Sequence, residues 1–180
     1  MKVERTEIPE VLLLEPKVFP DERGMVFESY NRRAFAAAAG VDPDFVQDNR
    51  SLSKKNVLRG LHYQVVKPQG KLVQVLRGEI FDVAVDLRRS SRTFGKWVGF
   101  HLSEANRRMA WIPPGFAHGL LALSDVDVLY KMTELWMPQH DRTIAWNDPA
   151  VGIDWPAAGK PVVSAKDAAG VAFGKAELFA

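Results

Sequence analysis

The chain has 180 residues, 24 Lys+Arg against 22 Asp+Glu, a net charge of +2, 47% hydrophobic residues and no cysteine. This is the composition of a soluble globular protein. A charge so near zero gives no general field for nucleic acid, and the lack of cysteine excludes disulfides, thiolate catalysis and zinc–sulfur sites. The N-terminal MKVERTEIPE lacks the apolar core of a signal peptide. The longest apolar runs, such as Val11–Leu14 and Phe35–Ala39, fall far short of the roughly 20 residues of a membrane helix. A cytoplasmic protein with no membrane or nucleic-acid partner is expected.

Taken in chain order, short β-type runs dominate: VLLLEPKVF, FVQDNRSLS, VLRGLHYQ, KLVQVL, IFDVAVDL, KWVGFHL, RMAWIP, HGLLAL and VDVLYKMTEL. They are rich in Val, Leu, Phe and Tyr and are separated by turn chemistry such as PDERG, KPQG, RRSSRT, SEAN and PPG. Evenly spaced strands without intervening helical patterns predict an all-β sandwich or barrel rather than βα units. One helix is expected over Asn31–Ala39, with Asn31 as N-cap and Gly40 at its C-terminal stop. A second short helix is expected to begin at the capping Ser164. The Pro/Gly-rich segment 145–160 reads as an ordered wrap anchored by Trp146 and Trp155. With no repeat or linker, residues 1–180 read as a single domain closed by a C-terminal wrap over 145–180.

Four histidines are available, and two stand in suggestive places. His62 follows Arg59 in Leu58-Arg-Gly-Leu-His-Tyr-Gln64; His118 closes Pro113-Pro-Gly-Phe-Ala-His118, a Pro-x-Gly-x-x-His pattern resembling the second cupin motif. Many cupins pair that histidine with a His-x-His on an earlier strand to hold a metal, but here the earlier strand carries His62-Tyr63-Gln64, so no metal site is expected. By position alone, His62 is as well read as a hydrogen-bonded strand histidine. Strand alternation puts Gly60, His62 and Gln64 on one face and Arg59, Leu61 and Tyr63 on the other, so a bulge or twist is needed to bring Arg59 and His62 to one ligand. The cations Arg23, Arg59 and Lys71, on or beside strands, need partners or a ligand. By spacing alone Tyr130 reads as a core or rim tyrosine. Tyr63-x-x-x-Lys67 imitates a dehydrogenase motif, but no Gly-x-Gly-x-x-Gly turn is present to hold a dinucleotide.

Seven stretches in order resemble the dTDP-4-dehydrorhamnose 3,5-epimerases: Glu15–Gly24, Phe27–Asn31, Phe45–Asn49, Leu58–Gln64, Phe81–Asp86, Trp111–Gly119 and Ser164–Asp167. The match runs from about residue 3 to 170. It implies a cupin-type double-sheet β jelly roll with one or two short peripheral helices. It also implies proton transfer beside the C4 ketone of dTDP-4-dehydro-6-deoxy-D-glucose, with no cofactor and no metal. By the resemblance His62 is the base, Asp167 its orienting partner and Tyr130 the acid, overturning the bland reading of the tyrosine. Lys71 stands near the developing enolate oxygen, and Arg23 and Arg59 grip the diphosphate. Glu28, Gln47, Asp48, Asn49, His118, Asp141 and Lys166 contact nucleotide or sugar. The N-terminal segment crosses to a partner in a homodimer, bringing Arg23 and Glu28 to the neighbour's site. Two departures stand out: Leu135-Trp136 where relatives often carry Tyr-Tyr, and Asp141 where a glutamate is common. Epimerases acting at C3 or C5 alone and ketoisomerases of other deoxysugar pathways remain alternatives, separated by the stereochemistry of the product. A non-catalytic sugar-nucleotide-binding cupin is a third, expected to lose the acid or base while keeping the arginines, whereas His62, Tyr130 and Asp167 are all present.

Overall fold

The structure is a computed structural model that describes residues 1–180. Its strands are β1 (Lys2–Arg5), β2 (Leu12–Glu15), β3 (Val18–Asp21), β4 (Gly24–Phe27), β5 (Gln47–Ser53), β6 (Leu58–Gln64), β7 (Lys71–Arg77), β8 (Glu79–Asp86), β9 (Trp97–Ser103), β10 (Met109–Ile112), β11 (Phe116–Ala122), β12 (Val126–Met132) and β13 (Asp141–Thr143), with helices α1 (Arg32–Ala39) and α2 (Ala165–Ala168). Two sheets form, one in the order β1-β2-β10-β7-β12-β5 and the other β13-β6-β11-β8-β9, while β3 and β4 pair only with each other. All the sheet pairings are antiparallel.

The main core lies between the two large sheets. Leu13, Val73, Val75, Ala110 and Val128 from the first meet Ile80, Ala84, Leu102, Phe116 and Leu120 from the second. The outer faces are covered as well, which explains why several strands read as continuous apolar runs instead of alternating. β11 is buried at every position: beneath it the C-terminal segment lays Val151, Trp155, Phe173 and Ala176 against Leu61, Val83, Val85 and Ala117. Trp155 donates from Nε1 to the Trp146 carbonyl at 2.9 Å, so the two expected anchors are tied together.

On the opposite side, α1 covers β2, β7 and β10 through Phe35 and Ala39 against Leu12, Leu14, Leu72, Met109 and Trp111. Asn31 caps it, accepting from the Ala34 N–H at 3.0 Å. Gly40, in the left-handed conformation at φ 74°, ends it by donating to Ala36 O. Phe35 is wholly buried and meets Trp111 edge-on at 5.5 Å; truncation of such a residue costs about 3–5 kcal/mol. The VLLLEPKVF run is two strands rather than one. Pro16, which has no N–H for a ladder, separates β2 in the large sheet from β3 in the hairpin. β1 escapes the pattern because Lys2-Val-Glu-Arg5 is an edge strand with three exposed residues.

Candidate active site

The site begins with an irregularity in β6. His118 of β11 pairs with His62, but Leu120 pairs with Arg59. β11 thus advances two residues while β6 advances three, the signature of a bulge. The extra residue falls at Gly60, whose φ of 133° suits glycine alone and whose missing Cβ would stand 2.6 Å from Gly119 Cα. The bulge cancels the strand alternation, and Arg59 and His62 both line one cavity of about 180 Å³. Asn49, Lys71, His118, Tyr130, Trp136 and Asp141 line it too.

His62 Nε2 lies 2.5 Å from Asp167 Oδ1. The carboxylate is buried and is delivered by α2, whose capping Ser164 accepts from the Asp167 N–H at 3.1 Å. Burial pushes the Asp167 carboxyl upward, but the His62 hydrogen bond and charge, helped by Ser164 and Lys166, outweigh it and hold it below the usual value. An ionised Asp167 accepts from the Nε2–H of His62, which leaves Nδ1 as the nitrogen with the lone pair.

A second pair lies alongside. Buried His118 directs Nε2 to Asp82 Oδ1 at 2.7 Å. Burial depresses the His118 pKa against the pull of Asp82, so the ring is neutral with its proton facing the carboxylate. The other Asp82 oxygen has no protein partner. The His118 ring stands edge-on to Tyr130 at 5.9 Å. Burial pushes the Tyr130 phenol up to about 12, against the hydrogen bond from Ser51, so it keeps its proton at neutral pH and can act only as an acid there. Lys71, 8% exposed, points Nζ at the His62 carbonyl at 3.4 Å. Burial lowers its pKa to about 8, with Asp141 and Asp82 opposing the fall and Lys166 adding to it.

At the mouth, Asp141 Oδ2 accepts from Lys166 Nζ at 2.5 Å and from Trp136 Nε1 at 3.2 Å. Gln47 joins the same rim, donating to Asn49 Oδ1 and accepting from the Trp136 N–H, both at 2.9 Å. Arg59 is held by Ser53 Oγ at 2.9 Å. Asp48 faces away from Asn49 and pairs with Lys131 at 2.9 Å. Arg23 and Glu28 lie outside the cavity: Arg23 pairs with Asp21 at 2.7 Å, and Glu28 accepts from Asn31 Nδ2 at 2.9 Å. Asp82, Ser51 and Ser53 were not singled out from the sequence. The signal for Asp82 was present, as an acidic residue inside an apolar strand that has to find a buried partner.

No cluster of three or more His, Cys, Asp or Glu side chains is arranged to hold a metal ion. No helix is long and apolar enough to cross a membrane. Two sheets closed around a cavity with a histidine–aspartate pair, a protonated phenol and a buried ammonium define a cupin-type enzyme suited to proton transfer. Residues 5–175 match the family model described as dTDP-4-dehydrorhamnose 3,5-epimerase. A dTDP-4-dehydrorhamnose 3,5-epimerase of Pseudomonas aeruginosa is 57% identical over 180 residues, covering 99% of both chains. The one of Salmonella typhimurium is 57% identical, over 94% of this chain and 93% of its own. Among solved structures, the dTDP-6-deoxy-D-glucose-3,5-epimerase of Legionella pneumophila, in complex with dTDP-4-keto-L-rhamnose, superposes with a TM-score of 0.95. It is 47% identical, over 98% of this chain and 94% of that one. The chain belongs to the dTDP-4-dehydrorhamnose 3,5-epimerase family.

Proposed function

We propose that the cavity is the catalytic site at which this enzyme epimerises dTDP-4-dehydro-6-deoxy-D-glucose at C3 and C5, giving dTDP-4-dehydro-L-rhamnose in dTDP-L-rhamnose biosynthesis. The observation that carries the reading is that one cavity joins a base held by a carboxylate, His62 with Asp167, to a phenol that keeps its proton, Tyr130. The C4 carbonyl of the substrate acidifies the hydrogens at C3 and C5. His62 Nδ1 removes one, and a positioned base of this kind contributes about 10²–10⁴-fold. Asp167 fixes the tautomer and stabilises the imidazolium. Lys71 sets a positive charge beside the enolate oxygen, where a water-poor site makes it count most. Tyr130 returns a proton to the opposite face. The electron sink is the substrate's own carbonyl, so this route calls for no cofactor.

The rest of the ligand is too large for the cavity, since a drug-sized molecule takes about 300–1,000 Å³. The nucleotide therefore lies along the rim. Trp136 offers a face for the base, and Arg59, Lys166, Gln47, Asn49 and His118 offer polar contacts to diphosphate and sugar, with Asp141 aligning Lys166. A homodimer belongs to the same reading. The β3–β4 ribbon pairs with nothing else and exposes Phe19 and Val26 over more than half their surface. A ribbon laid on a partner would bury these and carry Arg23 and Glu28 to the partner's cavity. Residues 1–180 then act as one catalytic domain, closed by the 145–180 wrap and working in the cytoplasm. Incubation with dTDP-4-dehydro-6-deoxy-D-glucose, followed by proton NMR of the ring couplings, tests the activity. Inversion at both carbons is expected. Inversion at one carbon would replace this reading with a single-site epimerase, and no inversion would leave a binding protein.

A further inference from the structure

The reaction leaves one requirement unmet by the residues above. Each epimerisation breaks a C–H bond towards His62 and forms a new one from Tyr130, so one proton passes from phenol to imidazole each time. A two-site epimerase needs the phenol twice per substrate, and Tyr130 has to regain its proton between the two events. Tyr130 lines the cavity, so a bound sugar covers the side of the ring through which water could reach it.

The hydroxyl has one protein partner. Ser51 Oγ lies 2.9 Å from the Tyr130 hydroxyl. Ser51 belongs to β5, the last strand of its sheet, paired with β12 on one edge only, and it is partly exposed. Along that strand the alternating residues Asn49, Ser51 and Ser53 hold Gln47, Tyr130 and Arg59, whereas Asp48 and Arg50 pair with Lys131 and Asp127. Ser51 thus touches the acid and is itself partly open to solvent. A hydroxyl serves this use because it donates and accepts at once.

We propose that Ser51 is the relay that returns a proton to Tyr130 between the two epimerisations. The Ser51 O–H bond breaks as the Tyr130 O–H bond re-forms, and water that reaches the partly exposed Ser51 restores the serine proton. One proton has come from solvent, and the imidazolium of His62 gives one back. This rests on the acid–base reading above and adds a positioning residue that acts through Tyr130.

The test is a single turnover in D₂O with enzyme in excess over dTDP-4-dehydro-6-deoxy-D-glucose, quenched over time, the deuterons on each sugar being counted by mass spectrometry. Wild type is expected to give doubly labelled sugar with little singly labelled species on the way. Ser51→Ala is expected to make the first transfer at close to the wild-type rate, because its tyrosine starts protonated. The second transfer is then slowed about 10-fold or more, so singly labelled sugar accumulates. In steady state kcat falls as the second transfer becomes limiting, and Ser51→Thr restores it. Doubly labelled sugar at the wild-type rate from Ser51→Ala would overturn the relay. So would an equal slowing of both transfers that threonine does not rescue, which marks a structural role. A wild type that labels neither carbon would sink the acid–base reading and the relay with it, whereas a normal wild type beside an unaltered Ser51→Ala would sink the relay alone.

Discussion

His62 and Asp167 lie 105 residues apart in the chain and meet at 2.5 Å, one on a central strand, the other on a four-residue helix of the C-terminal segment. The wrap over the five-stranded sheet is therefore more than cover for an apolar face, because it supplies the carboxylate that sets the histidine's tautomer. Asp167→Asn keeps the shape and removes the charge. A carboxamide can present its N–H₂ to Nε2 and so favour the opposite tautomer. We expect kcat to fall about 10²–10⁴-fold with KM little changed, measured by steady-state kinetics.

Lys71 makes the pH dependence specific. In the proposed mechanism its ammonium is the form that steadies the enolate, and burial brings its loss down to about pH 8. kcat should therefore decline as pH rises through about 8. Lys71→Arg carries a charge that does not titrate in this range, so the alkaline decline should move to higher pH even if the maximum rate is lower. An unchanged alkaline limb in Lys71→Arg would assign that limb to another group.

Gly60→Ala tests the bulge. An added Cβ would stand 2.6 Å from Gly119 Cα at a backbone φ of 133°. Unfavourable backbone geometry alone costs about 1–3 kcal/mol. Loss of the bulge would also return Arg59 and His62 to opposite faces. Denaturant unfolding should show a loss of at least that size, with activity falling further than the loss of folded protein explains.

Asp86 holds a separate account of acid stability. Its buried carboxylate accepts from Arg88 Nη2 and Thr93 Oγ1, both at 2.7 Å. Burial pushes the carboxyl up, yet these bonds outweigh it and leave the pKa at about 2. The unfolded carboxyl takes its proton near the ordinary 3.8, before the native one does. The stabilisation, about 2 kcal/mol, is thus complete above 3.8 and lost as pH falls from there towards 2. Asp86→Asn should lower stability at neutral pH and flatten the pH dependence over that interval, as followed by thermal unfolding.

Much of this was legible in the sequence. The turn-punctuated strands point to two sheets, and Asn31 and Gly40 bound α1 correctly because capping is a local matter. Leu58–Gln64 even shows the need for a bulge, since a period of two cannot bring Arg59 and His62 together. What is not legible depends on register. That Ser51 meets Tyr130, or that Asp82 lies under His118, follows from pairings between distant strands. Composition and spacing do not fix those pairings. β1 and the break at Pro16 are missed for a simpler reason: an exposed edge strand has no apolar pattern, and a run of leucines conceals a change of sheet.

The most direct measurement is hydrogen exchange at the two carbons flanking the ketone. dTDP-4-dehydro-6-deoxy-D-glucose would be incubated in D₂O with wild type and with His62→Ala, and deuterium at C3 and C5 followed by NMR. Deuterium should enter both positions with wild type and neither with the variant, which should still bind dTDP. Exchange that persists at either carbon in His62→Ala would place the base elsewhere and contradict the account.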